Sequence, residues 1–290
     1  MAIRFLSGIQ ELASSYDGFI LDLWGVIHDG YAPFPSAIEV LRKLKKAGKP
    51  TLLLSNAPRR QTAVSQALEE MGISPGLYSH VHSSGEEAWQ ALHWRTDPWF
   101  ARLGPACFHL GPKRDRGMLE GLTLMEVKTP EAADFILNTG INRDEETLAD
   151  YEDLLARGAK NNVPMICANA DREAIRGEVR VICAGALAQR YEALGGEVKS
   201  FGKPDPSMFK SALKLLNNTG RTLTIGDSLA TDIRGSESAG IDAVLVTGGL
   251  HATELGLDGR QEELPLRDRL AALLARENLH PIAAIPRLCW

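Results

Sequence analysis

Short apolar runs that end in turns, each followed by a stretch of helical spacing, occur near both ends of this chain and constrain its fold more than any other feature. Gly18 to Trp24 reads GFILDLW, an apolar run too short for a helix that ends near an acid and a glycine. It predicts a buried strand. Ser36 to Ala47 sets Ile38, Leu41 and Leu44 at helical spacing, with basic residues late and Gly48 as a stop. Pro50 to Leu54 predicts a second strand, Ser55-Asn56-Ala57-Pro58 a turn and helix start, and Thr62 to Met71 a helix closed by Gly72. Strand, helix, strand, helix at this spacing predicts a parallel α/β sheet. The signature returns late in the chain, with a helix over Pro206 to Leu216 and strands over Thr222 to Ile225 and Ala243 to Thr247.

Between these stretches lies a second alternation. Ala106 to Leu110, Phe135 to Leu137 and Pro164 to Ala168 predict strands, and Glu145 to Arg157 a helix with Leu148, Tyr151, Leu154 and Leu155 on one face. Turn-rich breaks follow at Gly195-Gly196 and Gly202-Lys203-Pro204-Asp205-Pro206. The chain is expected to leave one sheet, build another and return, with residues 1–83 and 197–290 in one unit and 84–196 inserted between them. Gln261 onward predicts a tail helix, with Leu270, Leu273 and Leu274 as its apolar side, and Pro281 to Trp290 a short apolar segment.

A net charge of -5 and a pI of about 5.9 argue against a nucleic-acid partner. No apolar stretch reaches the roughly 18 residues of a membrane span, and Met1 to Gln10 lacks the basic-then-apolar pattern of a secretory signal. The expectation is a cytoplasmic protein. Cys107, Cys167, Cys183 and Cys289 form no Cys-x-x-Cys pair and read as reduced core thiols.

Four sites carry chemistry. Asp22 falls at the C-terminal end of the first strand, the edge where open α/β sheets bind ligands. A carboxylate there can attack phosphorus, or it can serve as a strand-end acid accepting backbone amides. Ser55 follows the second strand, where its hydroxyl and nearby amides suit a phosphate oxygen or a helix cap. Lys203 sits in a Gly-Lys-Pro turn, where an ammonium offsets the charge of nucleophile and phosphate together, or is an exposed loop lysine. Gly226-Asp227-Ser228-Leu229-Ala230-Thr231-Asp232 delivers two acids five positions apart (232 − 227 = 5) behind a four-residue apolar strand. Hard oxygen ligands of this kind suit Mg²⁺, although a turn with a helix cap also accounts for them.

The order of the four sites resembles the four motifs of the haloacid dehalogenase superfamily of hydrolases. The resemblance implies an α/β fold, a Rossmann-like parallel-sheet core carrying an inserted α/β cap. It implies Asp22 as nucleophile and Lys203 as charge-balancing base. Ser55, with Asn56, would bind the substrate phosphate. Mg²⁺ would be held by Asp22, the backbone carbonyl of Trp24, Asp227 and Asp232. Gly25-Val26-Ile27-His28-Asp29-Gly30, Leu54-Ser55-Asn56, Cys167-Ala168-Asn169-Ala170-Asp171 and Cys183-Ala184-Gly185-Ala186 are similar to the class IIA branch, the NagD-type and 4-nitrophenylphosphatase-like enzymes with a C2-type cap. Asn169 and Asp171 would then lie in the cap. The implied partner is a small phosphorylated metabolite such as a sugar phosphate or nucleotide, the implied intermediate an aspartyl-phosphate, and members with this cap self-associate through it.

One departure stands out. Phosphatases of the superfamily carry a second aspartate two positions after the nucleophile as general acid and base, and here that position is Trp24, whose indole only donates and does not titrate usefully. Three readings follow: a phosphatase with help from elsewhere, His28 and Asp29 being nearest unless they merely shape the turn; a dehalogenase-like hydrolase, since halide leaves without a proton; or a weakly active or inactive relative that binds a phosphorylated ligand or a protein partner.

Overall fold

The computed structural model describes residues 3–176, 179–258 and 262–290. Seven parallel strands form one sheet in the order Arg4–Phe5, Ala283–Ile285, Asp242–Val246, Thr222–Gly226, Gly18–Asp22, Thr51–Ser55 and His80–Ser83. The two central strands, Gly18–Asp22 and Thr222–Gly226, are buried at every residue. Side chains alternate across them: Phe19, Leu21 and Leu53 join the core on one face, and Ile20, Leu52 and Leu54 join Met208, Phe209 and Leu216 on the other. Strands covered on both faces read as unbroken apolar runs, and each such side chain contributes about 1.5–3 kcal/mol by leaving water. The C-terminal segment read above only as a short apolar tail supplies a strand, Ala283–Ile285, paired on both sides by Arg4–Phe5 and Asp242–Val246.

A second sheet, also parallel, runs Val198–Ser200, Met165–Cys167, Phe135–Asn138, Ala106–Leu110 and Met125–Glu126. Its two faces hold separate apolar clusters, one around Tyr191 and Leu155 and one around Phe100 and Phe135. Beside it, Glu173–Arg176 and Val179–Ile182 pair as an antiparallel hairpin. Fold class and the α/β character of both sheets agree with the sequence pattern.

Boundaries shift in instructive ways. The helix expected from Glu145 begins later, as a tight turn at Leu148–Tyr151 and a helix over Glu152–Lys160, because Thr147 and Asp150 form a reciprocal cap there. The tail helix covers Arg267–Glu277, and its expected start at Gln261 lies outside the described residues. The helix expected over Ser36 to Ala47 covers Pro35–Lys46, starting one residue earlier at a proline, and stops before Gly48, whose φ of +67° suits glycine. No helix among the described residues is long and apolar enough to cross a membrane.

Candidate active site

In a parallel sheet all C-terminal strand ends share one rim, so the sheet order brings together residues far apart in sequence. Asp22, Ser55 and Asp227 end or follow three adjacent strands at that rim. Lys203, only 3% exposed, reaches the same place from its turn. Its Nζ donates to Asp22 Oδ1 at 2.5 Å, Asp232 Oδ1 at 2.7 Å and the Leu54 carbonyl at 3.3 Å, using all three ammonium protons. The reading of Lys203 as an exposed loop residue is excluded.

Asp22, Asp227 and Asp232 are all buried, and each turns one oxygen to within 4.8 Å of the others. Asp227 Oδ2 accepts from Leu250 N at 2.9 Å. Two glycines clasp this carboxylate: a Cβ on Gly25 would lie 2.1 Å from Asp227 Oδ2, and one on Gly249 2.2 Å. Gly25 also has φ +73°, so that position favours glycine twice over. Asp232 sits in a wide helical turn, Leu229–Ile233, and its Oδ2 accepts from Ser228 N at 3.2 Å.

Charge in this cluster is unbalanced. Burial, then the neighbouring Asp232, pushes the Asp22 carboxyl up to about 7 against the pull of Lys203. Burial, then Asp22 and Asp232, drives Asp227 well above the carboxylate range. Burial opposes the Lys203 charge, yet Asp22, Asp232 and Asp171 outweigh it and raise its pKa. Fully ionised, three carboxylates less one ammonium would leave two negative charges (−3 + 1 = −2), and the raised Asp22 and Asp227 express the cost of that excess. A divalent cation matches that deficit, and hard oxygen donors suit Mg²⁺, so the residues present fit the metal that the motifs imply.

Asn56, 4% exposed, clamps the lysine's backbone: its Oδ1 accepts from Lys203 N at 2.7 Å and its Nδ2 donates to Lys203 O at 3.0 Å. A Cβ on Gly202 would meet Asn56 Oδ1 at 2.6 Å, which accounts for the Gly-Lys pair. Ser55 Oγ accepts from Ala57 N at 3.1 Å and faces the crevice. The following helix starts only at Gln61, so neither a helix cap nor a helix-terminal phosphate site at Ser55 holds; Pro58 and two arginines extend the loop first.

Trp24 also lines the crevice. Its ring lies over Gly30, where a Cβ would come within 2.5 Å, and meets the His28 ring edge-on at 5.3 Å between centroids. His28 is buried, its Nδ1 accepts from Gly30 N at 3.0 Å, and burial lowers its pKa to about 4. Asp29 Oδ1 accepts from Ala32 N at 2.8 Å and Tyr31 N at 2.9 Å, bonds that lower its pKa. Both side chains shape the turn, and neither holds a proton to give near neutral pH.

The opposite wall of the crevice, about 490 Å³ in volume, comes from the second sheet and its hairpin, including Ile175, Val181 and Ile182. Asn169 Oδ1 accepts from Asp171 N at 2.8 Å, and Asp171 Oδ1 accepts from Asn56 Nδ2 at 2.8 Å, joining the two walls. Nothing in the local sequence signals that this acid crosses 115 positions to reach Asn56. Gly249 and Leu250 were likewise missed, since a Gly-Gly turn carries no mark of what it encloses.

Comparison with known proteins places this geometry in a family. Residues 19–124 match the model of the haloacid dehalogenase-like hydrolases and residues 200–272 that of HAD-hydrolase-like proteins. A solved hydrolase of the haloacid dehalogenase-like family from Brucella suis 1330 superposes with a TM-score of 0.82 at 30% identity, covering 98% of this chain and 100% of that one. The chain belongs to this family and is a hydrolase of its class IIA branch. Among curated relatives, chronophin of Bos taurus is 28% identical over 262 residues (86% of each chain), and 5'-nucleotidase YutF of Bacillus subtilis is 27% identical over 264 (88% of this chain, 96% of YutF).

Proposed function

We propose that this hydrolase is a Mg²⁺-dependent phosphatase for a small phosphate monoester and that it works through an aspartyl-phosphate on Asp22. The observation that carries the reading is the trio of buried carboxylates facing a single buried lysine at the strand-end rim. A buried charge deficit of this kind is costly unless a ligand offsets it. The naming of the relative YutF as a 5'-nucleotidase supports a phosphorylated substrate, and the crevice volume suits one of metabolite size.

Asp22, Asp227, Asp232 and the Trp24 backbone carbonyl would hold the cation, which when bound neutralises phosphoryl charge. Lys203 does the same from the protein side and keeps Asp22 oriented. Ser55 receives a phosphoryl oxygen, whereas the Asn56 amide, implied by the motifs as a second phosphate ligand, is taken up by the Lys203 backbone and Asp171. Asp22 attacks phosphorus, forming a carboxyl O–P bond as the ester O–P bond breaks. Water then cleaves the acyl phosphate, releasing phosphate and restoring Asp22. The charge deficit also bears on the dehalogenase reading, because three clustered carboxylates repel a haloacid's own carboxylate.

The test is phosphate release from a panel of sugar phosphates, nucleoside monophosphates and 4-nitrophenyl phosphate, with Mg²⁺ and with excess chelator. Release that depends on Mg²⁺ is expected. Metal-independent halide release, or thermal stabilisation by phosphate esters with no turnover, would overturn it.

A further inference from the structure

Trp24 leaves the rim without a carboxyl for the leaving group, and His28 and Asp29 are committed to the turn. An alkoxide leaving a phosphate still needs a proton. The remaining source is the facing wall, where one acid is held in an unusual way. Asp171 is partly buried and lines the crevice shared with Asp22 and Lys203. Asn169 fixes its backbone, and Asn56 fixes one of its carboxylate oxygens, Oδ1. Asn56 is itself bound to both backbone polar groups of Lys203, so Asp171 stands one side chain away from the lysine. Among the described residues, the other oxygen, Oδ2, accepts no hydrogen bond. One oxygen anchored and one unengaged is the arrangement a proton donor requires.

We propose that Asp171, supplied by the inserted unit, is the general acid and then the general base of the phosphatase reaction proposed above, on which this inference rests. In the first half-reaction the Asp22–phosphorus bond forms, the bond to the ester oxygen breaks, and the Asp171 carboxyl passes its proton to that oxygen, leaving an alcohol and a carboxylate. In the second, the carboxylate takes a proton from water as the water oxygen attacks phosphorus. The Asp22–phosphorus bond breaks, and phosphate, the Asp22 carboxylate and protonated Asp171 result. The electrostatics agree. Burial raises the Asp171 pKa to about 6, with Lys203 and the Asn56 bond pulling it down and Asp232 pushing it up, so it exchanges protons near neutral pH. The two walls must therefore meet for chemistry to occur.

Asp171→Asn keeps an oxygen for Asn56 and separates acid–base work from mere bridging. The full-length Mg²⁺-loaded enzyme is assayed with 4-nitrophenyl phosphate, whose leaving group needs no proton, and with benzyl phosphate, whose leaving group does. The variant is expected to lose about 100-fold or more in kcat/KM for benzyl phosphate and less than about 5-fold for 4-nitrophenyl phosphate. A burst of 4-nitrophenolate should precede slow turnover as the acyl phosphate accumulates. In the unaltered enzyme the benzyl to 4-nitrophenyl ratio of kcat/KM should fall as pH rises above about 6, a measurement that stands even if the variant fails to fold. Equal losses on both esters, no loss on either, or a ratio flat with pH overturns the proposal alone. An unaltered enzyme inert toward both esters with Mg²⁺ overturns it together with the phosphatase reading.

Discussion

The two walls of the crevice are built on opposite terms. The core rim holds Asp22, Asp227, Asp232 and Lys203 almost wholly out of water, each fixed by several partners or by glycines that leave no room to move. The facing wall is softer. Its hairpin presents Ile175, Val181 and Ile182, its acid Glu173 is exposed, and it meets Asn56 of the rim through a single bond to Asp171. Fixed charge in a dry setting suits a step common to all substrates, whereas a partly apolar wall suits discrimination between them. Damage to the rim should hit every ester alike, and damage to the hairpin should sort them.

The most severe test of that contrast is Asp22→Asn. We expect kcat to fall by at least about 1,000-fold on every ester, with the unfolding midpoint unchanged or raised, since a buried acid whose charge is disfavoured has been neutralised. Residual turnover that differs widely between esters would mean that the rim is not where the common step occurs. A milder test is Gly249→Ala. Its Cβ would press on Asp227 Oδ2 from 2.2 Å, and we expect the Mg²⁺ concentration for half-activation to rise about 10- to 100-fold with little change in the ranking of substrates. On the other wall, Ile175→Ala combined with Ile182→Ala should alter the ratio of kcat/KM between a nucleoside monophosphate and a sugar phosphate by roughly 10-fold, while Mg²⁺ activation stays the same. A pair of variants that moved Mg²⁺ activation but not the ratio would invert the division of labour.

The same contrast explains what could be read from the chain. Asp22, Ser55 and Asp227 are legible because each terminates an apolar run, and parallel pairing forces strand ends onto one rim. Lys203 is legible by its Gly-Pro turn. The clasp of Gly25 and Gly249 around Asp227 is not, because it depends on three loops meeting and no local periodicity records it. Asp171 reads locally as a turn residue, which it also is, through Asn169. Its link to Asn56 follows from how one sheet sits against the other. The hairpin went unread for a related reason: Glu173 to Ile182 alternates weakly and is held by pairing with itself.

The smallest effect concerns the seam at Trp24 and His28, which borders the crevice yet belongs to the rim. If His28 is a turn residue, its signature is in stability rather than in catalysis. Its pKa falls from 6.5 to about 4 on folding because burial disfavours the cation. The folded state therefore binds fewer protons than the unfolded one between those values. The stability contribution is complete above about pH 6.5 and drains away as pH falls through 6.5 toward 4. From pH 7 to pH 5 the loss attributable to this group is roughly 2 kcal/mol. His28→Gln keeps an acceptor for Gly30 N and has no charge to gain. Urea unfolding of the variant should show an acid-induced loss smaller by about that amount, with kcat/KM on 4-nitrophenyl phosphate within about 3-fold of the parent. An identical acid loss in the two proteins, or a change in the pH profile of kcat/KM instead, would put His28 among the proton-transferring groups and weaken the assignment of that task to the opposite wall.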